Sequence, residues 1–441
     1  MINRREFAKG GLGAFFIATT GRALGIGAAS CRVRLAIVGC RAKGRGQAVL
    51  NSVMRVPGVE IAYVCDVDAR ARDWGAYLVE KATGFRPKKE KDLRKILEDK
   101  ELDGIVSETP DHWHACSAVW AMRAGKAVYV EKPCAFCPRE CEIVVDEWKR
   151  SGVVFQMGNQ RRASLSCKAA IEYVRTTGAI GNLCWAKCWF NADRKSIGRG
   201  KVDAVPEWLD WELWQGPAPR REYRDNVVHY NWHWFRNWGT AETGNNAPHF
   251  ADVARWALDV GFPSRVSCSG GLLADKSDDY EWPDTYDMSF AYPGGKFISF
   301  DLTSHSCTCP HMGIATGAMV YGEHGALLFR PDDSVALYDA KSKVVKEWNH
   351  GGATEVGSLS NPTSSLDRLH AAKFVDCIRA NSQKTNSPAD EAVKSSLMPL
   401  LANIALEIGE DIHLDPQTGE LKTEAAKRLW AREYAKGWEL A

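Results

Sequence analysis

The sequence predicts an α/β protein: a parallel sheet wrapped by helices, then an α+β region built on a largely antiparallel open sheet. Three observations carry this. Between Arg34 and Gln160, short apolar runs alternate with amphipathic helical stretches, the pattern of parallel strands joined by right-handed crossovers. Between Arg265 and Trp348 the alternation is strand-like, with turns at "PGG" and "GEHG", as in antiparallel sheets. The chain has 441 residues, 45% of them apolar and 25% charged, which suits a soluble globular protein of two domains.

Taken in order, "RLAIVGC" is the first strand, and a helix follows through Val53. "VEIAYVCD" is the second, with an Arg- and Lys-rich helix to Lys81. "LDGIVSETP" and "AVYVEKP" come next, separated by the helical "HWHACSAVWAMRAGK", and "GVVFQMGNQ" is a fifth strand. Past Gly158 the character changes. "SLSCKAAIEYVRTTGAIG" reads as a helix stopped by Gly178, followed by the strand "NLCWAKCWFNA" and an aromatic segment to Trp238. "HFADVARWALDV" is a further helix, and helices return from about Ser364 to the end. No repeat or low-complexity linker divides the chain. The expected domains are residues 32–157 and 158–441, sharing a tight interface.

Lys and Arg number 57 against 55 Asp and Glu, a net charge of +2, which gives no electrostatic case for nucleic acid. No apolar run reaches the ~20 residues that span a bilayer, so no stable membrane insertion is expected. Residues 1–31 read as an export segment: Arg4-Arg5 with Phe7 and Lys9 resemble a twin-arginine signal, and Ala28, Ala29 and Ser30 suit cleavage. The expected location is periplasmic. Cys31 after these small residues resembles an acylation site for a lipid anchor, and without a working signal the protein would be cytoplasmic. Many of the 14 cysteines lie in apolar strand-like runs, where Cys acts as a small buried hydrophobe, so most are expected to be free thiols.

"AVYVEKPCAFCPREC" admits two readings. Cys134, Cys137 and Cys141 could close on a metal, but further ligands are not identifiable, and structural thiols with no metal are the favoured reading. The other reading puts the chemistry at Glu131-Lys132-Pro133, the carboxyl end of an apolar parallel strand, where ligands bind. A lysine partly desolvated in such a cleft suits proton transfer. "AIVGCRAKGRG" is a Gly-rich turn between strand and helix, where backbone N–H groups can meet a pyrophosphate. Gly39 and Gly44 fit G-x-G-x-x-G, with Arg41 at the middle glycine. Asp66, ending the second strand, can bind ribose hydroxyls and favours NAD; Arg70 and Arg72 behind it could accept the 2′-phosphate of NADP.

Together "TPDHWHA" and "VYVEKP" resemble the glucose–fructose oxidoreductase/inositol dehydrogenase (Gfo/Idh/MocA) family, as do "QMGNQRR", "GNNAPHFADVARW" and "REYAKGW". The resemblance implies an N-terminal Rossmann domain joined to an α/β domain with an open sheet. It implies that Thr109, Pro110 and His114 lie on the nicotinamide side with Glu131, Lys132 and Asn159. It also implies that Lys132 reaches the oxygen of the reacting carbon, that Arg162 borders the substrate and that His249 is catalytic. Asn245 stands where the family often has Asp; it can orient an imidazole but cannot stabilise imidazolium by charge. Relatives often form dimers or tetramers, so a homo-oligomer is expected.

The chain has 17 tryptophans, and the segment from Val205 to Asn246 concentrates them with Tyr, His and Arg. It reads as a loop packed by its own aromatics. It also reads as a carbohydrate cleft, with Tyr230, His233, Trp234 and Arg236 as candidates. The expected function is NAD-dependent oxidation of a sugar or glycoside, with tightly bound cofactor. The alternative is an NAD-dependent glycosidase working by transient oxidation, elimination, hydration and reduction. A non-catalytic sensor is a third reading, against which Lys132 and His249 argue.

Overall fold

The computed structural model describes residues 32–42, 44–273, 277–306, 308–309, 311–350 and 365–440. The twin-arginine segment, its cleavage site and Cys31 lie outside them. Val33–Ala441 form one compact unit.

The first sheet is parallel throughout, in the order β3-β2-β1-β4-β5-β6. Its strands are β1 (Val33–Val38), β2 (Val59–Cys65), β3 (Lys88–Glu90), β4 (Gly104–Ser107), β5 (Ala127–Val130) and β6 (Phe155–Met157). Five coincide with the apolar runs; β3 is a polar edge strand with no such run. Between them lie α1 (Arg45–Val53), α2 (Ala69–Thr83), the short α3 (Leu93–Ile96), α4 (Asp111–Arg123) and α5 (Pro138–Ser151). β4 and β5 are buried on both faces, which is why they read as unbroken apolar runs. Strand order reverses between β1 and β4, and the crevice at such a point is where an α/β sheet takes its ligand.

After α6 (Leu165–Thr177), β7 (Leu183–Asn191) enters a second sheet of nine strands. It pairs parallel with β10 (Phe297–Thr303) and antiparallel with β11 (Thr316–Gly322). Antiparallel neighbours complete it: β8 (Arg265–Gly271) and β9 (Thr285–Ala291) on one side, β12 (Gly325–Phe329), β13 (Val335–Asp339) and β14 (Val344–Trp348) on the other, with β15 (Ile412–His413) beside β8. The sheet therefore matches the antiparallel expectation apart from one parallel pair.

The short α7 (Trp211–Gln215) lies in the aromatic segment, and α8 (Ala241–Leu258) follows it. Helix α8 starts eight residues before the expected "HFADVARWALDV", so Asn245 and His249 share one helix. α8 and α10 (Ala389–Ile408) join one continuous apolar core with both sheets. α9 (Ser365–Arg379) instead buries Phe374, Ala371 and Val375 against Val49, Leu50 and Val53 of α1, so a late segment completes the first sheet's core.

Beyond Gly409 the expected helices are reduced to one 3₁₀ turn, Glu424–Leu429. The chain runs through β15 and an irregular tail back to α4 and α5, where Trp438 meets Trp113 at 5.3 Å and Arg432 pairs with fully buried Glu140 at 2.6 Å. The aromatic segment has its own core: Trp211 stacks on Trp214 at 4.7 Å, and both meet Trp238 edge-on. Among the described residues, 12 cysteines are free thiols. Cys134, Cys137 and Cys141 are all buried, with the Cys134 Sγ 3.3 Å from Ser396 Oγ.

Candidate active site

A cavity of about 540 Å³ follows the carboxyl ends of β1, β2, β4 and β5 and extends under the aromatic segment. At its first-sheet end, Gly39 takes φ +89°, and a Cβ there would stand 2.5 Å from the Glu108 carbonyl oxygen. Only glycine lets this turn pass so close to β4. Gly44 is the N-cap of α1 and brings no capping side chain, and a helix N-terminus placed here suits an anion. Arg41 lies in the same turn and lines the cavity.

Asp66 ends β2, and its carboxylate is fixed by N–H groups of Cys40 at 2.7 Å and Asp68 at 2.9 Å. The two nearby arginines are committed elsewhere. Arg70 pairs with Asp68 at 2.9 Å and lies 3.4 Å over the Trp208 ring, while Arg72 donates to the Asp66 main-chain carbonyl.

At this same edge the aromatic segment is strapped to the first sheet. The Ala69 N–H donates to Trp208 O (2.8 Å) and the Asp210 N–H to Val67 O (3.1 Å), His229 Nε2 meets Asp68 at 2.8 Å, and Lys91 pairs with Asp210 at 2.7 Å. The strap continues into Tyr230 and His233, so one segment covers both ends of the cavity.

Toward the other end, Thr109 and Pro110 line the cavity at the start of α4. His114 joins this turn to the next strand end: its Nδ1 lies 2.6 Å from Pro133 O and its Nε2 2.8 Å from Thr109 O. Glu131 pairs with Arg45 at 3.0 Å, and Arg45 pairs with Asp367 of α9 at 2.8 Å. Burial opposes ionisation of Glu131, yet Arg45 and Lys132 hold its carboxyl below the usual range. Glu108 differs. Both its carboxyl oxygens are buried with no hydrogen-bond partner among the described residues, and burial, then the charge of Glu131, pushes its pKa well above the ordinary value.

Lys132 and His249 line the deep end together. Lys132 Nζ donates to the Asn245 carbonyl at 2.7 Å and more weakly to Asn245 Oδ1 at 3.4 Å. The close approach has local causes. Gly244 has no side chain to collide with Thr240, and it sits against Pro133. Pro248 has no N–H for the turn above, which loosens the helix at the residues that face Lys132. Neither ring nitrogen of His249 has a hydrogen-bond partner among the described residues. Burial, then the charges of Lys132, Arg161 and Arg45, lowers its pKa well below the imidazole value, so the ring is neutral. Asn245 does not orient this ring as expected: its Nδ2 donates to Glu242 at 3.1 Å, and the residue tethers Lys132 instead.

Glu242 and Arg194 are functional candidates that the sequence reading missed. Glu242 is fully buried and receives Arg194 Nε at 3.0 Å, Arg194 Nη2 at 3.1 Å, and the amides of Asn245 and Asn246. Arg194 lines the cavity between the Phe190, Tyr230 and Trp234 rings. A signal was present, since Arg194 lies three residues past the end of β7.

Of the expected substrate residues, Tyr230, His233 and Asn245 line the cavity, and burial pushes the His233 pKa down to about 3. Three others do not. Arg162 is buried in a bidentate pair with Asp252 of α8 (2.9 and 2.8 Å), inside the second domain. Trp234 packs on Tyr280 at 4.8 Å, and Arg236 bonds Glu407 and covers Trp282. Asn159, expected beside the cofactor, is buried outside the cavity lining, its amide without a hydrogen-bond partner among the described residues.

These residues fit a bound NAD. The α1 N-terminus beside the Gly39 turn suits the pyrophosphate, Asp66 suits a ribose diol, and the Glu108 carboxyl marks polar contacts that the described residues leave unmade.

Residues 33–159 match the model of the oxidoreductase family with an NAD-binding Rossmann fold. The chain is similar to a glycosyl hydrolase family 109 protein of Saccharopolyspora erythraea, 37% identical over 118 residues, or 26% of this chain and 25% of that protein. It is similar to scyllo-inositol 2-dehydrogenase (NAD(+)) of Bacillus subtilis, 31% identical over 132 residues, or 30% of this chain and 36% of that one. The chain thus spans between a quarter and a little over a third of the length of these two relatives. Its fold is shared with levoglucosan dehydrogenase in complex with NADH and levoglucosan, with TM-score 0.64, 16% identity, and 87% of this chain and 99% of that one covered. It is also shared with myo-inositol 2-dehydrogenase of Lactobacillus plantarum, with TM-score 0.61, 16% identity, and 87% and 100% covered. With its parallel sheet and this match, the segment 33–159 is an NAD-binding Rossmann domain of the Gfo/Idh/MocA family of oxidoreductases, and the chain as a whole shares the fold of these relatives.

Proposed function

We propose that the chain is an NAD-dependent oxidoreductase that removes hydride from a hydroxyl-bearing ring carbon of a sugar or glycoside. The observation that carries this is Lys132 and His249 lining one cavity that continues to Asp66 and the Gly39 turn. NAD, when bound, supplies the hydride acceptor. The chain's part is to position and deprotonate. Lys132, tethered by the Asn245 carbonyl, donates to the hydroxyl oxygen and fixes the reacting carbon. His249 is kept neutral by burial and by the cations near it, so it offers a lone pair to the hydroxyl proton. Tyr230 and His233 present aromatic and polar surface to the remainder of the ring.

NAD rather than NADP is proposed because Arg70 and Arg72 are tied to Asp68 and the Asp66 carbonyl, leaving them unavailable to a 2′-phosphate. The strap over the adenosine end supports a tightly held cofactor. Such a cofactor would suit a periplasmic enzyme exported through the signal proposed at residues 1–31. We infer also a homo-oligomer through the open face of the second sheet, where Trp185 stacks on Phe297 and Tyr321 at 5.2 and 4.2 Å.

Mass spectrometry of nucleotide released on denaturation tests the reading, followed by a screen of sugars for NADH formation. Retained NAD with turnover lost in Lys132→Met is the expected result; full activity in that variant would overturn the mechanism.

A second reading is an NAD-dependent glycosidase, favoured by the similarity to the family 109 relative. It predicts p-nitrophenol release from p-nitrophenyl glycosides with no net NADH.

A further inference from the structure

Glu108 ends β4 at the point where the strand order reverses, directly beneath the Gly39 turn. Its side chain lines the cavity, and both carboxyl oxygens are shielded from solvent without a hydrogen bond to any described residue. Buried polar groups are rarely left so, and the exceptions concentrate where a ligand completes them. The charged groups facing it are Glu131, Lys132, Arg45 and Asp367, with Tyr129 and Cys40 as further titratable neighbours. The cations among these are already engaged: Arg45 by Glu131 and Asp367, Lys132 by Asn245.

A carboxylate at this place would face both Glu131 and the phosphates of a dinucleotide lying across the crevice. A neutral carboxylic acid would not. It can donate a hydrogen bond as well as accept one.

We propose that Glu108 is a cofactor-binding residue, a neutral carboxylic acid that donates a hydrogen bond to a ribose–phosphate oxygen in the nicotinamide half of NAD. This rests on the reading that the cavity takes NAD. Burial and the Glu131 charge keep the acid protonated, and its ionisation would place a negative charge against the cofactor. NAD binding should therefore weaken as pH rises, by up to about tenfold per pH unit once Glu108 ionises.

The test follows exchange of bound NAD against isotope-labelled NAD in the full-length protein, between about pH 6 and about pH 9. The expected result is faster release at high pH in the wild type. Glu108→Gln, neutral at every pH, should bind as tightly at low pH and lose that pH dependence. Glu108→Ala should bind about tenfold more weakly. The same pH slope in wild type and Glu108→Gln would overturn the proposal, and this comparison decides it even if Glu108→Ala fails to fold. Wild-type protein that takes up no NAD would overturn the cavity assignment itself, whereas NAD binding with unchanged slope in Glu108→Gln removes only the role of Glu108.

Discussion

Lys132 Nζ donates a 2.7 Å hydrogen bond to the main-chain carbonyl of Asn245, one helical turn ahead of His249. The acceptor is backbone, so the tether survives any substitution of the Asn245 side chain that leaves α8 intact. Asn245→Ala should therefore keep Lys132 in place and cost turnover no more than about tenfold. Lys132→Met removes the donor itself and should cost about 10²–10⁴-fold in kcat. Steady-state kinetics on both variants with a common substrate checks the order; equal losses would mean that the Asn245 side chain, not its carbonyl, holds the lysine.

The Arg194–Glu242 pair predicts a stability effect. Glu242 is fully buried, so removing its cation leaves a charge with only amide donors around it. Arg194→Met should lower unfolding free energy by about 3 kcal/mol in urea titrations. Arg194→Met combined with Glu242→Gln should recover most of that loss, because no charge is stranded. A double variant no more stable than the single one would show that the pair matters through packing alone.

The division between what the sequence disclosed and what it hid follows from the range of the interactions. β1, β2, β4 and β5 were legible because double-sided burial writes itself as an apolar run, and Gly39, Asp66 and Lys132 because each lies at such a run's end. Partner choice across the chain leaves no such mark. Arg162 and Arg194 look alike in sequence, yet Arg162 meets Asp252 in the interior while Arg194 meets Glu242 at the cavity wall. Glu108 was hidden beside Thr109-Pro110 because its isolation is a property of what fails to reach it. Trp234 and Arg236 were drawn in by composition, but the 3₁₀ turn Asn231–Trp234 points His233 inward and packs Trp234 on Tyr280.

Acid should destabilise the fold well before its carboxylates titrate. Burial lowers the pKa of His112 and His233 to about 3, of His370 to about 4, and of His249 well below 6.5. Between those values and about 6.5, the unfolded chain binds protons that the folded chain does not, so stability falls as pH falls. Glu108 works the other way, being protonated when folded and ionised when unfolded above about 4.5. Asp66, Asp111 and Asp333, also raised by burial, act in the same sense as Glu108, but the four imidazoles titrate through this range in the unfolded chain, and a net loss of stability is expected between about pH 6.5 and about pH 5.5. Urea midpoints across that interval measure it; constant stability would mean that these imidazoles carry protons in the fold.

The strap over the adenosine end predicts slow cofactor release with one identifiable latch. Burial opposes ionisation of Asp68, but the His229 and Arg70 hydrogen bonds hold its carboxyl well below the usual range, so the latch is a charged acceptor under two donors. His229→Ala removes one donor and leaves Asp68 to cap α2 through the Arg70 N–H. The Val67–Asp210 and Ala69–Trp208 backbone bonds remain, so the segment should stay folded but open more often. NAD release should quicken by about tenfold, the worth of one hydrogen bond to a charged group. Stopped-flow chase of bound NADH fluorescence with excess NAD reads it directly. Unchanged release with the fold intact would mean that the backbone pairing alone governs opening, and that breaking it with Asp210→Pro is the variant that frees the cofactor.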